Sequence, residues 1–147
     1  MRTLELLAPA RNTEIGIAAI DCGADAVYIA GPAFGARQAA GNSIEDISRL
    51  CEYAHRFGAR IFLTLNTILY DEELHEAEEL MLKAELAGVD AIIVQDLAIM
   101  KMADGGPDGK TLGIPLHAST QCAIRDVDKA LFYRQAGFSR LVLEREL

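Results

Sequence analysis

Positive charge is scarce in this chain: 14 Lys and Arg stand against 22 Asp and Glu, a net charge of −8 over 147 residues. Such a surface does not gather nucleic acid or anionic membrane by charge alone, so any anionic partner must be held locally. Cysteine is equally sparse. Cys22, Cys51 and Cys122 form no CxxC pair and cannot all pair within one chain, which argues against a disulfide framework and for a reducing, cytoplasmic compartment. No run approaches about 18 uninterrupted apolar residues, and Glu5 breaks the only apolar stretch near the N-terminus, so neither a signal peptide nor a membrane span is expected. No interdomain linker is visible either; the one Gly/Pro-rich stretch, 104–113, reads as an exposed turn. What is present is enough for a core: 51% of residues are apolar and 24% charged, the balance of a single globular domain over 1–147.

The chain is organised by a repeat in which a helix-like stretch ends at Gly and runs into a short apolar segment. The copies are GADAVYIA from Gly23, GARIFLTL from Gly58, GVDAIIVQ from Gly88 and GFSRLVLE from Gly137. Glycine suits the position just past a helix C-terminus because it accepts the left-handed backbone found there. With two further segments lacking the Gly, six strands are expected over 4–8, 26–30, 60–65, 91–95, 115–119 and 140–143.

Helix signals fill the intervals. Asn12 caps a helix to about Cys22, Ser43 with Asp46 approximates a capping box, and Asp71 is the expected cap of a third helix bearing Leu74, Ala77, Met81 and Ala84 on one face. Shorter helices are expected over 97–103 and 126–136. Strands this uniformly apolar, as in Ala91, Ile92, Ile93 and Val94, are those of a parallel sheet covered by helices, which makes the class α/β.

Six units at about 25 residues each fall short of the roughly 250 residues of a closed eight-fold barrel. A doubly wound open sheet fits the length, but its usual G-x-G-x-x-G after the first strand is replaced by Ala8-Pro-Ala-Arg-Asn12. The preferred reading is a partial (β/α) TIM-like barrel. Sequential strand order separates it from the doubly wound alternative.

Seven segments, in order along nearly the whole chain, carry a family resemblance: ELLAPARN (5–12), AIDCGADAVYIAG (19–31), FGARQAAGN (34–42), TLNTILYDEEL (64–74), GVDAIIVQD (88–96), HASTQ (117–121) and LEREL (143–147). They resemble the N-terminal part of the peptidase U32 family, with Arg11 standing where the family pattern usually has Gly. The resemblance implies a barrel-type domain that continues beyond residue 147. It also implies two rival activities: the collagenase-like proteolysis of the family label, or participation in hydroxylation of a tRNA or rRNA base, or of a quinone precursor, with prephenate as hydroxyl donor. The family's cluster-binding cysteines lie downstream of the matched region, and none of Cys22, Cys51 or Cys122 matches them. Any iron-sulfur cluster therefore belongs to the C-terminal remainder, and no cofactor or metal is expected here.

In β/α folds the chemistry sits beyond the C-terminal ends of the strands. Those positions carry Arg11 and Asn12, Arg37 and Asn42, Asn66 and Thr67, Gln95 and Asp96, His117, Ser119, Thr120 and Gln121, and Glu144, Arg145 and Glu146. Arg11, Arg37 and Arg145 would make a local anion site for a small carboxylate or an RNA phosphate, since guanidinium binds both in a bidentate fork. Alternatively each pairs with a neighbour, as Arg145 could with Glu144 or Glu146. Asn42, Thr67, Gln95, Gln121 and Glu144 are the further substrate-binding candidates, and His117, Ser119 and Asn66 the catalytic ones.

His117 and Ser119 face one side of a strand, the only hint of nucleophilic hydrolysis. No third residue at fixed spacing orients the His, and no G-x-S-x-G elbow exists. The helix starting His75-Glu76 lacks the second His of a zinc motif. Finally, the polar ring lacks the residues of the remaining strands and the resemblance places the cluster cysteines downstream, so the chain alone is expected to be inactive, and a non-catalytic binding domain lacking the cofactor half is the third reading. A six-strand arc also exposes its first and last strands, so two copies are expected to meet through the open side over 4–7 and 141–143, or else the six strands close up with displaced helices.

Overall fold

The computed structural model describes residues 4–35, 41–105 and 111–145. Arg37 and Glu146 lie outside the described residues. Strands β1 (Leu7–Ala10), β2 (Ala26–Ala30), β3 (Arg60–Leu65), β4 (Ala91–Val94), β5 (Leu116–Ala118) and β6 (Arg140–Leu141) alternate with helices α1 (Thr13–Asp21), α2 (Ile44–Arg56), α3 (Leu74–Leu86), α4 (Leu97–Ala103) and α5 (Val127–Gln135).

All neighbouring strands pair in parallel and the order is sequential, β1-β2-β3-β4-β5-β6. There is no switch point, so the sheet is a curled arc of a TIM-like barrel and the doubly wound alternative falls away. Because side chains alternate across a strand, each strand feeds two surfaces. The outer one carries Val27, Ile29, Ile61, Leu63, Leu65, Ile92 and Val94, all fully buried against helix residues such as Ile47, Leu50, Met81 and Ala84. The inner one is smaller: Ala26, Phe62, Ala91 and Ile93, with Leu7 and Tyr28 packed on them. The apolar runs thus reflect burial on both faces.

Helix starts follow the side-chain caps. Asn12 Oδ1 accepts from Ile15 N at 3.0 Å, Ser43 and Asp46 form a capping box, and Asp126 Oδ1 accepts from Lys129 N at 2.8 Å. Asp71 is different. It opens a 3-10 turn, Asp71–Glu73, in which the Glu73 carboxylate accepts from Tyr70 N at 2.8 Å, and α3 begins only at Leu74. The first strand is also displaced, from 4–8 to Leu7–Ala10: the paired register begins with Leu7 opposite Ala26, and although the Leu6 carbonyl accepts from Asp25 N and Ala26 N, the side chains of Leu4 and Leu6 stay 90% and 59% exposed. Two glycines are required where they stand. Gly137 turns the chain from α5 toward β6 at φ +98°, and a Cβ on Gly16 would lie 2.8 Å from Leu50 Cδ2, so a side chain there would force the fully buried Leu50 to shift between α1 and α2.

Candidate functional site

The inner face of the arc forms a cavity of about 730 Å³ that opens at the C-terminal ends of the strands. Its floor is apolar, with Leu7, Pro9, Tyr28, Ile93 and Val142. Its walls and rim are polar, with Thr64, Asn66, Ser119, Thr120, Gln121, Arg11 and Arg145. Phe34 (φ +58°) and Ala123 (φ +50°) hold left-handed backbone in the loops after β2 and β5, at this same end. Strain of this kind, about 1–2 kcal/mol per non-glycine residue, is characteristic of positions fixed by their surroundings near functional sites.

The structure brings Arg11, Asn66, Ser119, Gln121 and Arg145 around one cavity. Neither Arg11 nor Arg145 makes an ion pair among the described residues. Glu144, the neighbour available to Arg145, instead lies 3.2 Å from Arg125 Nε, and its backbone N–H donates to Ile124 O. Glu144 is thereby drawn toward Arg125 and away from the cavity lining.

Other rim residues are engaged in holding loops. Asn42 is buried, and its amide donates to Arg11 O at 3.0 Å and Ala30 O at 2.9 Å, tying the loop after β1 to the end of β2. Thr67 Oγ1 donates to Phe34 O at 3.2 Å. Asp96 caps α4 through Ala98 N and also accepts from Leu69 N at 3.0 Å. Gln95 is half-buried, and its carbonyl lies 3.8 Å from the Cys122 thiol.

His117 and Ser119 do share the inner face, yet no hydrogen bond joins them among the described residues. Ser119 Oγ accepts from Gln121 N at 3.3 Å, capping the 3-10 turn Thr120–Cys122. His117 is level with Ile93 and Arg140 in the ladder and meets the Phe62 ring edge-on at 4.8 Å between centroids. Burial first, then the charges of Arg140 and Arg60, push its pKa down to about 4, so the imidazole is neutral at pH 7. Its buried Nδ1 has no hydrogen-bond partner among the described residues.

Beneath the cavity, toward the N-terminal strand ends, lies a cluster that sequence reasoning missed. Glu5 pairs with both Arg60 and Arg140, the latter also through Nη2 to Oε2 at 3.1 Å. The two guanidinium carbons stand 5.7 and 5.1 Å from the Phe62 centroid. Tyr28 and Thr64 were missed too. Strict alternation from Ala26 and Arg60 would have placed both on the inner face, but the runs AVYIA and RIFLTL read as uniformly apolar.

Cys22 is exposed, Cys51 and Cys122 are buried, and no group of three or more His, Cys, Asp or Glu gathers to hold a metal among the described residues. His75 and Glu79 belong to a solvated pair network with Lys83 on α3. No helix is long and apolar enough to cross a membrane among the described residues.

The arrangement has relatives. The chain is 55% identical over 144 residues to the 23S rRNA 5-hydroxycytidine C2501 synthase of Escherichia coli (strain K12), covering 98% of this chain and 21% of that protein. It is 35% identical over 143 residues to tRNA hydroxylation protein P1 of Bacillus subtilis (strain 168), covering 97% of this chain and 33% of the relative. The chain therefore spans between a fifth and a third of these proteins. A solved U32 peptidase superposes with a TM-score of 0.65 at 9% identity over 97% of this chain and 60% of that one, a likeness of fold. With the sequence model of peptidase family U32 matching residues 11–147, the chain belongs to that family.

Proposed function

We propose that this chain forms part of a protein that takes part in hydroxylation of an RNA base, with the C-terminal mouth of the arc as the substrate site. The observation that carries the reading is the 55% identity, across 98% of the chain, to an rRNA hydroxycytidine synthase. The site is compatible with it, because Arg11 and Arg145 border the cavity with no ion pair among the described residues, in a chain whose net charge of −8 otherwise repels polyanions. In the finer form of the reading, a small carboxylate such as prephenate supplies the hydroxyl, the reaction is cytoplasmic, and an iron-sulfur cluster is carried outside these residues; a quinone precursor is the alternative substrate. The proteolytic reading has less support. Its nucleophile would be Ser119, whose hydroxyl caps a turn and has no hydrogen bond to His117 among the described residues.

The test is a chimera in which this chain replaces the matching fifth of the E. coli relative in a strain lacking that protein. Restored 5-hydroxycytidine in 23S rRNA, read by nucleoside mass spectrometry, is the expected result. Unmodified cytidine from a chimera that accumulates and folds normally overturns the reading. We further infer that the isolated chain associates through its open side, where Leu4, Leu6 and Leu143 are 90%, 59% and 50% exposed. Light scattering showing a monomer at high concentration overturns that.

A further inference from the structure

The cavity is layered, and each layer has its own chemistry. Pro9 and Tyr28 are paired neighbours in the ladder and lie on its floor. Tyr28 is half-buried, packs its ring on the inner apolar cluster, and its hydroxyl makes no hydrogen bond among the described residues. A polar layer with Asn66 and Ser119 lies nearer the mouth. Arg11 stands two residues beyond Pro9, which at about 3.3 Å per strand residue puts its backbone roughly 7 Å above the Tyr28 level. Arg145 lines the same cavity from the last strand's side.

An aromatic face below, amide and hydroxyl groups between, and two guanidiniums on top follow the order of parts in a nucleotide: ring, sugar, phosphate. A volume of about 730 Å³ accommodates one nucleotide unit but no stretch of duplex. Chemistry on a base requires taking it out of its stack, and aromatic side chains compensate that loss.

We propose that the cavity receives a single extruded pyrimidine nucleotide of RNA, its ring stacked on Tyr28 and its flanking phosphates held by Arg11 and Arg145. This rests on the RNA reading above and deepens it. Tyr28 is then the residue that selects for an unstacked base, and the two arginines serve the RNA backbone and not the hydroxyl donor.

The experiment titrates the full chain with short single-stranded RNAs carrying either a fluorescent cytidine analogue or an abasic nucleotide at one position. The analogue should change emission on binding, and the abasic RNA should bind about ten-fold or more weakly, the scale of one base–aromatic stack. Tyr28→Ala should erase that difference while Tyr28→Phe keeps it within about three-fold, because only the ring is required. Arg11→Ala and Arg145→Ala should weaken both RNAs alike and lower the salt slope by about 0.7 each. Equal affinity of the two RNAs for the unaltered chain overturns the stacking proposal without any protein variant. So does a preference for the analogue RNA that persists in Tyr28→Ala, or absence of RNA binding at low salt. The hydroxycytidine measurement on the chimera is scored separately, so restored modification alongside any of these failures retires the Tyr28 slot and leaves the RNA reading standing.

Discussion

The two ends of the arc use arginine in opposite ways. At the N-terminal end, Arg60 and Arg140 share one carboxylate, Glu5, and lean on one ring, Phe62. At the C-terminal end, Arg11 and Arg145 border an open cavity with no ion pair among the described residues. The paired end joins residue 5 to residue 140, the two margins of the arc, across its interior. One end is therefore committed to holding the fold, and the other keeps its charge available, the division expected of β/α architectures. His117 stands between them, level with Arg140 yet only one inward position below Ser119.

Removing Glu5 should break this division most severely. Glu5→Ala leaves two arginines against an apolar ring with no counter-charge, and we expect a loss of about 2–3 kcal/mol in urea unfolding, below the roughly 3–5 kcal/mol of a fully buried pair because Arg60 is half exposed. A change under about 0.5 kcal/mol, the size of an ordinary surface substitution, would show that the cluster holds nothing together. Next in size is a pH effect. The native imidazole of His117 titrates near 4 and the unfolded one near 6.5, so between those values the unfolded chain binds a proton that the native chain refuses. Stability contributed by this residue is complete above pH 6.5 and is lost on acidification toward pH 4, on the order of 2 kcal/mol. Unfolding at pH 7 and about pH 4.5 should therefore differ less in His117→Gln than in the unaltered chain. Equal differences would mean that the imidazole is not buried against the arginines.

Much of the fold could be read from the chain because its signals are local. Glycine stops, caps such as Asn12 and Ser43, and apolar runs need no knowledge of distant residues, and strand order follows once each unit is recognised. The candidate site was legible only as a set of strand ends. That Asn42 would spend its amide on two carbonyls, or that Glu144 would turn to Arg125, depends on loop paths that no spacing encodes. The Glu5 cluster was hidden for another reason: its members are 135 positions apart and meet only because the sheet curls. Leu4 and Leu6 misled in the opposite direction, since apolar residues beside a strand look like the strand until the register excludes them.

Asn42 sharpens the comparison by showing that the mouth also contains structural residues. Its buried amide ties the loop after β1 to the end of β2 by two hydrogen bonds, to Arg11 O and Ala30 O. Asn42→Ala leaves both carbonyls to find other partners and should cost about 1–2 kcal/mol, with amide exchange rising first around residues 11 and 30. Loss spread evenly over the chain would contradict a local strut.

The smallest expected effect on stability is the most telling. Arg145 is exposed and unpaired among the described residues, so Arg145→Ala should shift the unfolding free energy by no more than about 0.5 kcal/mol, as an ordinary surface substitution does. Arg140→Ala removes the same side chain five positions earlier, but there it strips Glu5 of one partner and Phe62 of a cation, and we expect about 1–2 kcal/mol. The pair is matched in residue type and sequence neighbourhood and differs in which end of the arc each guanidinium serves. Equal losses from the two variants would mean that Arg145 has a structural partner after all. A near-zero loss for Arg145 against a clear loss for Arg140 would leave the mouth arginine's charge without a part in folding, as a group kept for a ligand should be.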